Sequence, residues 1–179
     1  MLFDTIVVGP LGVNCFILGC PETSQAVVVD PGDEVGRIMA QVKQRGLSVT
    51  AVLNTHGHFD HVGGNLQITG ETKAPLYIHQ ADAPMLSRVA QVSAMYGLPG
   101  ENSPAADQYL EDRMVIPFGK QSLQVIHTPG HTPGGCCLYL KDQQKLISGD
   151  TLFADGVGRT DLPGGSHAQL VESIRPRRC

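Results

Sequence analysis

His56, His58, Asp60 and His61 fall in the run Thr55-His56-Gly57-His58-Phe59-Asp60-His61, which puts three imidazoles and a carboxylate within six positions. The chain has seven His and eleven Asp in 179 residues. At those frequencies His-x-His-x-Asp-His arises by chance in roughly six chains in ten thousand, so accident is a poor account of it. Imidazole nitrogen and carboxylate oxygen suit zinc or iron, and the run contains no thiolate. Metal binding is therefore the first reading, and solvated loop histidines the bland one.

Three later segments add candidates. His131 lies in Thr128-Pro129-Gly130-His131-Thr132-Pro133-Gly134-Gly135, and Asp150 in Ser148-Gly149-Asp150-Thr151. Gly156-Val157-Gly158-Arg159-Thr160-Asp161 is a Gly-rich loop with one Arg and one Asp. Singly, each reads as a turn former or cap. The signal is that several strand ends each supply a metal-type side chain. His79, His127 and His167 carry no comparable context and read as ordinary strand-end or loop residues.

These side chains need a frame. Thr5 to Val8, Asn14 to Leu18 and Ala26 to Val29 read as an opening meander of strands. Asp33 is a plausible N-cap for a helix carrying Val35, Ile38, Met39 and Val42, closed by Gly46. Val49 to Leu53 reads as a strand that ends at the His motif, the place where α/β sheets put their sites. Val62 to Asn65 opens a helix, Pro75 to Ile78 is a strand, and Gln80 to Val89 is a helix. Residues 90–110 have no clear period and read as a long connection over the site, from which Tyr96 or Tyr109 could line a pocket. Strands return at Met114 to Ile116, Ser122 to His127, Gly135 to Leu140 and Lys145 to Ser148, and a last helix runs from about His167 to Ile174. The order implies two sheets, each with helices on one face, rather than a doubly wound sheet.

Composition narrows the class. A length of 179 residues fits one domain over 1–179. A net charge of −4 with no long basic run gives nucleic-acid binding no electrostatic support. No apolar run approaches a membrane span, and the N-terminus lacks a signal peptide's basic start and apolar core. Cys15, Cys20, Cys136, Cys137 and Cys179 form no C-x-x-C pair and read as thiols in a reducing compartment, so a cytoplasmic protein is expected.

Taken in order, Thr-His-Gly-His-Phe-Asp-His, Thr-Pro-Gly-His-Thr, Ser-Gly-Asp-Thr and Gly-x-Gly-Arg-Thr-Asp-Leu-Pro-Gly-Gly resemble the metallo-β-lactamase superfamily. Within it they look most like the small glyoxalase II-like (hydroxyacylglutathione hydrolase-like) hydrolases. The turn at Asp30-Pro31-Gly32 fits the same pattern. The resemblance implies an α/β, four-layer αββα sandwich with two zinc ions at one edge, iron or manganese being other occupants. His56, His58 and His131 would hold the first ion, and Asp60 and His61 the second. Asp150 would bridge the two, with Asp30 supporting the site from behind. It further implies hydrolysis of a small-molecule thioester by a metal-bound hydroxide, Asp60 orienting the water or acting as base. Arg159 would meet an anionic group of the substrate or, equally, pair with Asp161 or Asp155. Relatives continue past the last helix to a Pro-Gly-His-Gly turn, whose His completes the second metal site. A shortened fold lacking the last strand and helix, with a weakened second site, is therefore expected. A mononuclear iron persulfide dioxygenase and a metal-binding non-enzyme stay open beside the hydrolase. The oligomeric state is not legible.

Overall fold

A computed structural model describes residues 1–175; Pro176, expected to stop the last helix, and the Cys179 thiol lie outside the described residues. Strands β1 (Leu2–Val8), β2 (Val13–Gly19) and β3 (Gln25–Val29) form the expected antiparallel meander. Then β4 (Ser48–Leu53), β5 (Leu76–His79) and β6 (Gln108–Leu110) join in parallel, so one sheet runs β1-β2-β3-β4-β5-β6. A second, antiparallel sheet runs β10-β9-β8-β7, from β7 (Val115–Phe118), β8 (Gln121–His127), β9 (Cys136–Leu140) and β10 (Lys145–Ile147). A small hairpin pairs β11 (Leu152–Phe153) with β12 (Gly156–Val157).

The period of two along a strand sorts the core into two layers. Cys15, Ile17, Val28 and Val52 point to one side of the first sheet. There they meet helix α1 (Val35–Gln44) through Val35, Ile38, Met39 and Val42, and helix α3 (Asn65–Thr72) through Ile68. Leu18, Val27, Val29, Ala51 and Leu53 point to the other side, against Phe118, Leu123, Val125 and Leu138 of the second sheet. Thus β3 is apolar on both faces, as a central strand covered on both sides must be. Burying a side chain such as Ile38 or Leu53 contributes roughly 1.5–3 kcal/mol, and this two-layer core fixes the strand ends that carry the site.

Helix α5 (His167–Ile174) starts and stops where the sequence predicts. The Ser166 hydroxyl accepts from the Gln169 N–H, a cap of the ordinary kind. Its buried Leu170 lies against Gly130, whose φ of 140° a side chain would not tolerate. The four thiols Cys15, Cys20, Cys136 and Cys137 are buried and unbridged.

Four local expectations need correction. The residue before α1 is Glu34, in left-handed geometry with no side-chain cap; the Asp33 carboxylate instead accepts the Glu34 N–H at 2.6 Å. The segment Val62 to Asn65 does not open a helix as one unit: the motif itself makes a single turn, α2 (Phe59–Val62), and α3 begins at Asn65. Gln80 to Val89 is a 3-10 stretch, Ala83–Arg88, leading into α4 (Val89–Met95). Consequently residues 90–110 are not a featureless connection, since they hold most of α4 and all of β6.

Candidate metal centre

The carboxyl ends of the strands converge on one rim. β3 leads to Asp30, β4 to His56, β8 to His131 and β10 to Asp150, while α2 returns Asp60 and His61 to the same place. Among the described residues, two sets of donor atoms come within 4.8 Å of one another: His56, His58 and His131, and His56, His61 and Asp150. The Asp150 carboxylate reaches both sets, with Oδ2 3.5 Å from His131 Nε2 and Oδ1 3.3 Å from His61 Nε2. Asp60 is in neither set; its Oδ2 stands 3.9 Å from His61 Nε2.

Hydrogen bonds fix the ring tautomers. Asp30, buried and with a φ of 50°, accepts from the Thr55 N–H at 2.7 Å, the Thr55 hydroxyl at 2.6 Å and His61 Nδ1 at 2.9 Å. The Thr55 hydroxyl spends its proton on Asp30, so at 3.1 Å it can only accept from His56 Nδ1. His56 Nε2 is therefore a bare lone pair. Among the described residues it is the one buried side-chain nitrogen or oxygen with no hydrogen-bond partner. Such an orphan costs about 1–3 kcal/mol, and its position inside two donor sets is what a cation would repay. His131 Nδ1 donates to the Arg159 carbonyl at 2.7 Å, which frees Nε2 to face His58 Nδ1 at 2.9 Å. His56, His61 and His131 thus each offer Nε2 inward and have Nδ1 tied down, the usual arrangement for metal-binding histidine.

Electrostatics agree. Burial, then the neighbouring imidazoles, push His56 well below the ordinary range and His58 down to about 4, so both are neutral donors at pH 7. Burial would also depress His61, but the Asp30 charge and hydrogen bonds to Asp150 and Asp30 outweigh it and hold it up to about 10. Burial raises the Asp60 carboxyl. Burial would raise Asp150 too, yet the His61 hydrogen bond and the surrounding imidazoles bring it below the usual carboxylate range.

His61 makes the metal-free site sensitive to pH. Its raised value means that, without metal, the ion pair stabilises fully below pH 6.5 and is lost as pH climbs toward 10. Filling the site at pH 7.5 must displace that proton, so calorimetry in buffers of different ionisation enthalpy should read release of about one proton, fading toward pH 10.

Close backbone packing sets Asp60. A Cβ on Gly32 would overlap the Asp60 carbonyl oxygen, and one on Gly63 or Gly64 would overlap the Gly32 or Pro31 carbonyl. Gly32→Ala is expected to cost about 2–3 kcal/mol in urea unfolding under chelator and to displace the Asp60 loop.

Arg159 is exposed and forked onto Asp161 at 2.8 and 2.7 Å, so its guanidinium is engaged with that carboxylate, while its carbonyl holds His131. Tyr96, at the end of α4, lies 5.1 Å from the Phe59 ring, beside the motif. Tyr109 stands exposed on the edge strand β6 opposite Ile78, and neither tyrosine lines the two cavities next to Asp60. Those cavities, about 460 and 370 Å³, share Leu11, Val13 and Asp60 as walls. His79 and His127 stack on each other with centroids 4.1 Å apart. Sequence reading overlooked Thr55, the Asn54–Asn65 pair bonded at 2.8 Å beneath His61, and Asp82.

The comparisons with known proteins agree with this geometry. The family model described as Metallo-beta-lactamase superfamily matches residues 8–176. The probable metallo-hydrolase YqgX of Bacillus subtilis (strain 168) is 36% identical over 99% of this chain and 83% of its own length. The hydroxyacylglutathione hydrolase GloC of Haemophilus influenzae is 28% identical over 99% of this chain and 84% of its own. The crystal structure of TTHA1623 in a di-iron-bound form superimposes with a TM-score of 0.88 at 35% identity, over 96% of this chain and 84% of that one. No helix among the described residues is long and apolar enough to cross a membrane.

Proposed function

The chain belongs to the metallo-beta-lactamase superfamily and is a metal-dependent hydrolase, and from that premise we propose that it hydrolyses a thioester and releases the thiol. The observation that carries the reading is the bare, buried His56 Nε2 at the meeting point of two donor sets, beside cavities that share Asp60. The thioester itself is supported by the four-motif resemblance and by the likeness to GloC.

The donors fit the ion. His56, His58 and His131 would hold one; His61 and Asp60 would hold the other, with Asp150 between them. Nitrogen and carboxylate donors suit zinc and iron alike, and the di-iron form of TTHA1623 supports iron as an occupant. When bound, such an ion supplies Lewis-acid polarisation of a carbonyl and lowers the pKa of a water.

The protein's own groups do the rest. His56 and His58, held neutral, keep their lone pairs for the ion at working pH. Asp60, whose proton affinity burial raises, takes the proton of the attacking water on its carboxylate. Leu11, Val13, Phe59 and Leu98 give the substrate's acyl or thiol portion an apolar wall. The thiolate departs without needing strong acid help. Asp60→Asn is expected to lower kcat by roughly 10²- to 10⁴-fold while elemental analysis still finds the ion of the His56, His58 and His131 set.

The direct test is thiol release from S-lactoylglutathione with zinc, ferrous iron or manganese added in turn. The reading predicts turnover that chelator abolishes. Absence of thiol with all three ions removes the thioester.

A further inference from the structure

We infer that Asp82 is a positioning residue for the metal centre: one buried carboxylate that ties the loop bearing His56 and His58 to the loop bearing His131. This rests on the metal-binding reading of those three histidines.

Asp82 lies just beyond the carboxyl end of β5, at the start of the 3-10 stretch Ala83–Arg88. Its side chain does not cap that stretch. It is fully buried and crosses to two other loops. Oδ2 accepts from the Gly57 N–H at 3.0 Å and from the Thr132 hydroxyl at 2.7 Å. Oδ1 accepts from the Gly134 N–H at 2.6 Å. Gly57 is the residue between His56 and His58, and Thr132 directly follows His131. The two loops are far apart in sequence, and this carboxylate is a hydrogen-bonded link between them. Across that link, His131 Nε2 and His58 Nδ1 come to 2.9 Å.

The packing shows that the link is tight. A Cβ on Gly134 would come 2.7 Å from the Asp82 carboxyl carbon, and one on Gly57 would come 3.0 Å from the Asp82 carbonyl oxygen. Both loops therefore rest on Asp82 with no room for a side chain between. A carboxylate placed in a dry interior is costly unless donors satisfy it, and here all three donors belong to the ligand loops. The geometry assigns Asp82 to holding the three histidine donors at the separation one ion requires. Partners of this kind typically change metal affinity by 10- to 100-fold when removed.

The test uses Co²⁺ as probe, read by competition titration and by its visible ligand-field spectrum, in the full chain. Asp82→Asn turns an N–H toward one of the three donors. It should weaken Co²⁺ binding by roughly 10- to 100-fold and shift the spectrum. Thr132→Val removes one of the three donors to that carboxylate and should weaken binding less, while Thr132→Ser restores it. Ile38→Ala, a core change in α1 away from the loops, is the control for lost stability alone. Wild-type affinity and spectrum in Asp82→Asn would overturn the inference, as would an equal affinity loss in Ile38→Ala. If Asp82→Asn does not fold, the Thr132→Val and Thr132→Ser pair decides on the same terms. A wild-type protein that binds no Co²⁺ sinks the metal reading and this inference together; normal wild-type binding with unchanged variants sinks only this one.

Discussion

His56→Leu is expected to abolish metal binding and to lower hydrolysis by about a thousandfold or more, without destabilising the metal-free protein. His56 alone belongs to both donor groups, and as one of the three histidines that would hold the first ion its loss unmakes that site. The second half of the expectation is the sharper one. In chelator the imidazole gives a bare nitrogen buried without a partner, and leucine removes that penalty of about 1–3 kcal/mol. The change also forfeits the His56 Nδ1 contact to Thr55, a bond of about 1 kcal/mol. The two effects nearly cancel, so the chelated variant should melt within a few degrees of the chelated wild type. With metal present the wild type alone gains stability, because ions bind only the folded state. Paired melts with and without chelator read both halves. A His56→Leu protein that melts far below the wild type in chelator would mean that the histidine is a packing residue.

Asp30→Asn should be the most destabilising single change near the site. The substitution tolerates the left-handed backbone, so its cost is electrostatic. Asp30 satisfies the Thr55 N–H and hydroxyl and faces the His61 imidazolium, all in the interior. Removing one partner of a buried pair costs roughly 3–5 kcal/mol. In metal-free protein this loss is greatest below pH 6.5 and shrinks toward pH 10, where His61 is neutral in the wild type as well. The amide can also present an N–H to His61 Nδ1 and reverse its tautomer, which turns the lone pair away from the centre. Metal affinity should fall by roughly 10- to 100-fold. Urea unfolding across pH under chelator, followed by metal titration, separates the two losses.

Much of the frame was legible because it rests on simple periodicities. Val27, Val28 and Val29 announce a strand whatever surrounds them, and the Val35, Ile38, Met39, Val42 stripe announces a helix. The last helix, expected from about His167 to Ile174, is α5. Helix α4 escaped because its buried residues are few: Val89 and Ser93 face inward while Met95 and Tyr96 are exposed. β6 and the β11–β12 hairpin are too short to carry a period. The cap of α1 was misplaced because the Glu34 carboxylate finds Arg37 and the Gly9 N–H, leaving Glu34 itself in the capping position.

Candidate ligands were visible for a chemical reason: histidine and aspartate at strand ends have few other reasons to recur. Of the residues that hold them, Asp30 came with the motif resemblance and the rest were not visible. Asp82 and the Asn54–Asn65 pair are single polar residues whose partners lie on other loops, and only their three-dimensional contacts give them a role. Arg159 offers the converse case. A basic residue in a Gly-rich loop suggests an anion site, yet Asp161 two positions on takes the guanidinium.

The central claim is a cation sitting among side chains from three separate segments, the His56–His61 run, His131 and Asp150. Anomalous diffraction at the metal's absorption edge, from crystals of protein grown with zinc or iron, tests this directly. The expected result is a peak about 2.0–2.2 Å from His56 Nε2, shared with His58 and His131. A well-ordered His56 ring with no anomalous density beside it, in crystals where metal is found elsewhere or nowhere, would contradict the account.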